Sequence, residues 1–132
     1  MKQVSIVISA YNEEGNVAEL YKQLNKELKK VKNAEFEMLF VDDGSKDKTL
    51  AEVKKLQTKD ARVKIVQLKR NFGHEIAMTA GMDYAKGDAV VFMDADLQHP
   101  PVYIKEMVNH YPDDVLVKHS HLLKFLYHVV PD

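Results

Sequence analysis

Two carboxylates, Asp94 and Asp96, stand at i, i+2 directly after the apolar run Ala89-Val90-Val91-Phe92-Met93. A run of that length with no polar interruption fits a strand buried on both faces of a parallel sheet. Charged groups at its end do not belong to a core, because an unpaired buried charge is too costly. They fall just outside the carboxyl end of a strand, where open α/β sheets bind their ligands. Hard oxygen donors at such a place suit Mg²⁺ or Mn²⁺, and those ions usually arrive with phosphate. Aspartate is also common in turns, so a tight turn is the other reading of the pair.

The elements that would position this pair follow from the periodicity. Val4 to Ile8 is a β-branched run that predicts a first strand, ending at Ser9-Ala10-Tyr11-Asn12. Val17, Leu20, Tyr21, Leu24, Leu28 and Val31 recur at helical spacing on one face, with Lys and Glu opposite. Phe36 to Val41 predicts a second strand, stopped by the turn cluster Asp42-Asp43-Gly44-Ser45, where both aspartates also fit Asx turns. A weaker helix is expected over Thr49 to Gln57, and an alternating third strand over Val63 to Leu68. Ala77, Ala80, Gly81 and Ala85 give the helix expected over Ile76 to Lys86 a small-residue surface that can lie close against a sheet, with Gly87 in the C′ position. After the fourth strand, Pro100-Pro101 opens a helix expected around Tyr103 to His110. Strands alternating with helices call for parallel pairing and right-handed crossovers, hence a doubly wound, mainly parallel α/β sheet.

No dinucleotide fingerprint follows the first strand. Ala10-Tyr11-Asn12-Glu13-Glu14-Gly15 holds one glycine and two acids, and negative charge in a first helical turn would repel a pyrophosphate laid there. A diphosphate bound at this edge therefore needs a cation, which points back at Asp94 and Asp96.

Composition narrows the class. At 132 residues the chain is one domain at most, and a charged content of 30% fits an ordinary globular protein. The formal net charge of −1 advertises neither nucleic acid nor an anionic membrane surface as partner. There is no cysteine, which removes disulfides, thiolate metal sites and thiol catalysis, and makes a reducing compartment the default. The start Met1 to Ser9 reads as a strand and not a signal peptide, and no run of 18 apolar residues is present to span a bilayer.

Four ordered segments together resemble the inverting family 2 glycosyltransferases with the GT-A nucleotide-sugar fold. They are Ser9-Ala10-Tyr11-Asn12-Glu13, Val41-Asp42-Asp43-Gly44-Ser45, Arg70-Asn71-Phe72-Gly73-His74-Glu75 and Met93-Asp94-Ala95-Asp96-Leu97-Gln98. The third, with Ala77 to Gly81 and Ala85-Lys86-Gly87-Asp88 after it, is most similar to the polyprenyl-phosphate branch, which holds dolichol-phosphate mannose synthases and bactoprenol glucosyltransferases. The resemblance covers about residues 3 to 111 and implies a nucleotide-diphosphate-sugar donor, Mg²⁺ or Mn²⁺, a polyprenyl phosphate acceptor and a role in the cell envelope. It carries the nucleoside site onto Ala10, Tyr11 and Glu13; Tyr11 can stack on a base and Glu13 can accept from ribose hydroxyls. Asp42 resembles the family's base reader, with Asp43 as the turn-forming partner that caps or hydrogen-bonds the loop of Asp42-Asp43-Gly44-Ser45 itself. Arg70 is available to phosphate, and Gly73 permits close backbone approach. Ala95 lies inside the acidic motif; Asp94 would contact the ribose or the metal, Asp96 the metal directly, and Gln98 would complete the ion's shell. His99 reads as a rim residue and Glu75 as a first-turn acid.

The resemblance implies a division into residues 1–111, the nucleotide-sugar-binding portion, and an atypical tail over 112–132. On this reading the chain is truncated and no catalytic residue is assigned. The rival expectation is a non-catalytic nucleotide-binding or self-associating module. The tail's apolar positions, among them Val115, Leu116, Leu122, Leu123, Phe125 and Leu126, are expected to support a homo-oligomer. The expected location is the cytoplasm or the cytoplasmic face of the membrane.

Overall fold

A computed structural model describes residues 2–98, 101–102, 104–105 and 108. The order of elements is β1 (Lys2–Ala10), α1 (Val17–Leu28), β2 (Ala34–Asp42), α2 (Thr49–Lys59), β3 (Val63–Gln67), α3 (His74–Tyr84) and β4 (Ala89–Asp94). All strand pairs are parallel, and the sheet order is β3-β2-β1-β4. The chain therefore steps outward from β1 through β2 to β3, then crosses back to pair β4 with the other side of β1. That reversal is the topological switch point of a doubly wound sheet.

Right-handed crossovers in opposite directions put α1 and α2 on one face of the sheet and α3 on the other. Val4, Ile6, Ile8 and Ala10 of β1 face α1 and α2, burying Leu20 and Leu24 of α1 and Val53 and Leu56 of α2. Val7, Leu39 and Val41 face Ala77 and Met78 of α3. β4 divides likewise, with Val91 and Met93 in the first core and Val90 and Phe92 in the second. The uninterrupted apolar run is thus the signature of burial on both faces. Gly81 lets α3 sit this close: a Cβ there would lie 2.3 Å from Val7 Cγ1.

Several local expectations need correction. α3 begins at His74, two residues earlier than its apolar pattern, and closes at Ala85, which has extended ψ. Gly87 is therefore not a C′ glycine. It is small because a Cβ would lie 2.7 Å from Gln3 O and Ser5 N, where the α3–β4 connection crosses the sheet's other edge. There Gly87 N–H donates to Ser5 Oγ at 2.8 Å, and Lys86 N–H donates to Glu37 Oε2 at 2.7 Å. Glu13 and Glu14 do not occupy a first helical turn, because α1 starts at Val17 and its first-turn acid is Glu19. Of the helix expected around 103–110, residues 104, 105 and 108 are described; they are helical, and Ile104 and Val108 are buried in the α1/α2 core. The tail over 112–132, and with it the expected self-association, lies outside the described residues. Among the described residues no helix is long and apolar enough to cross a membrane.

A polar corner ties α1, α2 and β3 together. Arg62 Nη2 donates to Asp60 Oδ2 at 2.7 Å and to Asn25 Oδ1 at 2.8 Å, and Tyr21 Oη donates to Asp60 Oδ2 at 2.8 Å. The Arg62 bonds outweigh the desolvation of Asp60 and, with Tyr21, hold its carboxyl well below the usual range. A depressed folded pKa stabilises above the unfolded value, about 3.9, and that contribution fades as pH falls below it. Asp60→Asn is expected to cost about 1 kcal/mol at pH 7, discounted because Arg62 is partly solvated, and to flatten the loss of stability below about pH 4. Urea denaturation of both proteins from pH 7 to pH 3 measures it; parallel curves would assign the acid sensitivity elsewhere.

Candidate functional site

The carboxyl ends of the strands bring four of the sequence's candidate segments to one edge. Ser9 pairs in register with Asp94, and Ala10 pairs with Asp42. The tips of β2, β1 and β4 thus stand side by side at the switch point. The register continues past the strands, where Asp43 N–H donates to Ala10 O at 2.9 Å and Ala95 N–H to Ser9 O at 3.0 Å.

The loop after β1 is held against the loop after β2 by a series of short bonds. Asn12, at φ 53°, donates its N–H to Ser45 Oγ at 2.9 Å and accepts from Lys46 N–H at 2.8 Å. Glu13 N–H donates to Thr49 Oγ1 at 2.7 Å and Glu14 N–H to Asp47 Oδ2 at 3.2 Å. Desolvation opposes ionisation of Asp47, but the bonds it accepts from Thr49 and Glu14 outweigh it and lower its pKa. This tie leaves Tyr11 39% exposed at the rim. The Glu13 carboxylate is half-buried and accepts from Asn16 Nδ2 at 2.7 Å.

The two aspartates at the carboxyl end of β2, Asp42 its last residue and Asp43 the next, separate into different surroundings. Both are 3% exposed. Asp42 Oδ1 accepts from Ser45 N–H at 3.2 Å, three residues on, a bond across the turn that follows the strand. Asp43 reaches across to the loop after β3, accepting from Phe72 N–H at 2.8 Å, Gly73 N–H at 3.1 Å and Asn71 Nδ2 at 3.2 Å. Gly44, at φ 70°, lets that loop close in, since a Cβ there would lie 2.2 Å from the Arg70 carbonyl carbon. Gly73 has a different reason: its φ of 102° is the demand, and a Cβ would meet nothing within 4 Å. Arg70 is exposed, its guanidinium 4.0 Å from the Phe72 ring centroid and its Nη1 donating to Asn71 O at 3.2 Å. The stack presents a cation at the edge with its apolar side covered.

At the β4 tip, Asp94 and Asp96 are both half-exposed and Ala95 is buried. Asp96 Oδ1 accepts from Gln98 N–H at 3.1 Å, with Leu97 between them at φ 66°. The motif is therefore a turn and a pair of accessible carboxylates at once. His74 Nδ1 lies 3.3 Å from Asp94 Oδ1, a contact no spacing in the sequence signals, because it depends on β4 lying beside β1. Among the described residues no three acidic or histidine side chains converge as a metal cage. Two accessible carboxylates still fit the donor chemistry of Mg²⁺ or Mn²⁺, which commonly take one or two carboxylates and complete their shell with substrate phosphate and water.

With this geometry in place, the comparisons are direct. Residues 5–118 match the family model for glycosyl transferase family 2, and the chain belongs to that family. Its fold is the α/β fold of the GT-A glycosyltransferases. The uncharacterized glycosyltransferase YkcC of Bacillus subtilis (strain 168) is 50% identical over 106 residues, 80% of this chain and 32% of that protein. The prophage bactoprenol glucosyl transferase homolog of Escherichia coli (strain K12) is 37% identical over 121 residues, 89% of this chain and 39% of that protein. The crystal structure of S. aureus TarS 1–349 in complex with UDP superposes with a TM-score of 0.58 at 33% identity, covering 73% of this chain and 28% of that one. The chain thus spans about a third of the length of the curated relatives it matches.

Proposed function

We propose that this chain forms the donor-binding part of a glycosyltransferase that moves a sugar from a nucleotide-diphosphate sugar to a polyprenyl phosphate, with a divalent metal and with inversion. The observation that carries the reading is the register that sets Asp42 beside Ala10 and Asp94 beside Ser9 at the switch point of the sheet. A nucleotide fits that edge in a definite order. Tyr11 offers a ring face to the base, Asp42 an acceptor for its imide or amino edge, and Glu13 an acceptor for ribose hydroxyls. Arg70, supported on Phe72, is available to the diphosphate. Asp94 and Asp96 would hold Mg²⁺ or Mn²⁺, with the Gln98 side chain as a further oxygen donor; the ion would supply the charge that neutralises the leaving diphosphate.

In an inverting transfer an acceptor oxygen forms its bond to the anomeric carbon on the face opposite the diphosphate as the bond to the diphosphate breaks. A phosphate acceptor is already an anion, so no base in this chain is required to deprotonate it. The polyprenyl assignment is supported by likeness to the bactoprenol glucosyl transferase homolog. UDP as the nucleotide is supported by likeness to the UDP complex of TarS. A charged nucleotide-sugar donor and a lipid-linked phosphate acceptor are compatible with a reaction in the cytoplasm, at the membrane's cytoplasmic face.

Calorimetry of the chain with UDP and with GDP, each with Mn²⁺ and with EDTA, tests the reading. Binding is expected to require the ion, because two carboxylates and a diphosphate in one cleft repel. Equal affinity in EDTA would remove the metal from the assignment, and no binding under any condition would remove the donor site.

A further inference from the structure

Glu13 and Glu14 precede α1, and their amides are taken up by the segment that begins α2. At the centre of this tie is Thr49, the first residue of α2, which is fully buried. Its hydroxyl is used twice, accepting the Glu13 N–H at 2.7 Å and donating to Asp47 Oδ1. Asp47 Oδ1 also accepts the Thr49 N–H at 2.9 Å, and Asp47 Oδ2 accepts the Glu14 N–H at 3.2 Å. One hydroxyl and one carboxylate thus fix two consecutive amides of the loop after β1. A polar group left buried without its partner is costly, so the loop and the start of α2 hold one relative position.

The loop anchored in this way carries the nucleoside half of the edge. The Glu13 carboxylate, which accepts from Asn16 Nδ2, and the exposed Tyr11 two residues before it are the groups assigned above to ribose and base. None of the side-chain bonds of Asp47 or Thr49 reaches the β4 tip, where Asp96 holds the Gln98 amide. We propose that Asp47 and Thr49 are positioning residues for nucleoside recognition: through the Glu13 and Glu14 amides they set Tyr11 and Glu13, independently of the acidic motif that would take the metal and the diphosphate. This rests on the donor-site reading above. The donor site is then built in two separately anchored halves, and one can be loosened without the other.

Calorimetry in Mn²⁺ on the full chain, with UDP and with inorganic pyrophosphate, separates the halves. Thr49→Val keeps the shape of the side chain and removes both bonds of the hydroxyl. It is expected to weaken UDP about tenfold, the worth of one well-made hydrogen bond, and to leave pyrophosphate within about twofold. Thr49→Ser restores the hydroxyl and should return UDP affinity to within about twofold of wild type. Hydrogen exchange on the ligand-free protein should show the Glu13 and Glu14 amides released by Thr49→Val while the amides of β4 keep their protection. Should that variant fold poorly, Asp47→Asn, at a half-buried position, is expected to show the same selective loss. Equal losses on both ligands would overturn the proposal, because the tie would then support the whole edge. So would unchanged UDP affinity in a folded variant, or a Thr49→Ser protein as weak as Thr49→Val. Wild-type chain that holds UDP but not pyrophosphate would show that the halves do not act separately, and the proposal would fall while the donor site stood. Wild-type chain that binds neither would remove the donor site and this inference with it.

Discussion

Replacing Asp96 by alanine is expected to abolish Mn²⁺-dependent nucleotide binding while leaving the melting temperature of the ligand-free chain almost unchanged. The carboxylate is half-exposed, and the bond it accepts from Gln98 N–H is on the surface. Losing that bond costs about 0.5–1 kcal/mol, because water replaces the missing acceptor. The effect on binding is of another order. Removing a residue that merely supports a metal ligand typically costs ten- to a hundredfold, so removing one of two protein ligands should cost about a hundredfold or more. Asp94→Ala is the less clean experiment, since it also breaks the contact with His74. Calorimetry and thermal melts on Asp96→Ala give the answer together. A folded variant that keeps metal-dependent affinity would clear Asp96 of a ligand role, and a large fall in melting temperature would make the motif a structural turn.

The strands and helices were legible because each announces itself within a few residues. The β-branched run of β1, the helical repeat of α1 and the unbroken apolar run of β4 all describe local burial. Parallel pairing then puts every strand's carboxyl end at one edge, so Ala10, Asp42 and Asp94 could be grouped before any side chain was placed. The errors arose where an element's end depends on something distant. Gly87 looks like a helix cap by spacing, but the backbone of Gln3 and Ser5 dictates its size. The start of α3 was hidden because Gly73 and His74 lie outside its apolar pattern while belonging to its first turn. Arg70 and Gly73 fall in the loop after β3 by position along the sequence, but nothing in the sequence marks what anchors that loop. Asp43 lies 29 residues from Phe72 and is joined to it by a hydrogen bond that only the packing of two loops reveals. The His74–Asp94 contact likewise needs the strand order, since the two lie 20 positions apart at opposite ends of the α3–β4 unit. Pairs of this kind carry no periodicity and no compositional mark, so a single sequence does not contain them in readable form.

The approach of those two loops makes the largest stability prediction, at Gly44. Alanine there is expected to destabilise the ligand-free chain by about 3 kcal/mol or more, among the larger effects a single substitution produces. Two independent costs combine. The φ of 70° is left-handed, which alone costs an L-residue about 1–2 kcal/mol. The added methyl would also lie 2.2 Å from the Arg70 carbonyl carbon and 2.4 Å from Asn71 N. Both are backbone atoms, so no rotamer change relieves the overlap, and the loops after β2 and β3 must separate. Separation pulls Phe72 and Gly73 away from Asp43 and leaves a buried carboxylate short of donors, which adds about 1–3 kcal/mol. Gly15→Ala is the matched control: a Cβ there meets nothing within 4 Å and its φ is not positive, so a change within about 0.5 kcal/mol is expected. Urea denaturation of the two variants beside the wild type measures both. Gly44→Ala should also weaken Mn²⁺–UDP binding in whatever fraction stays folded, because Arg70 and His74 move with the loop. A Gly44→Ala protein as stable as the Gly15→Ala control would mean that the two loops do not meet at this distance, and that Asp43 does not hold residues 71–73.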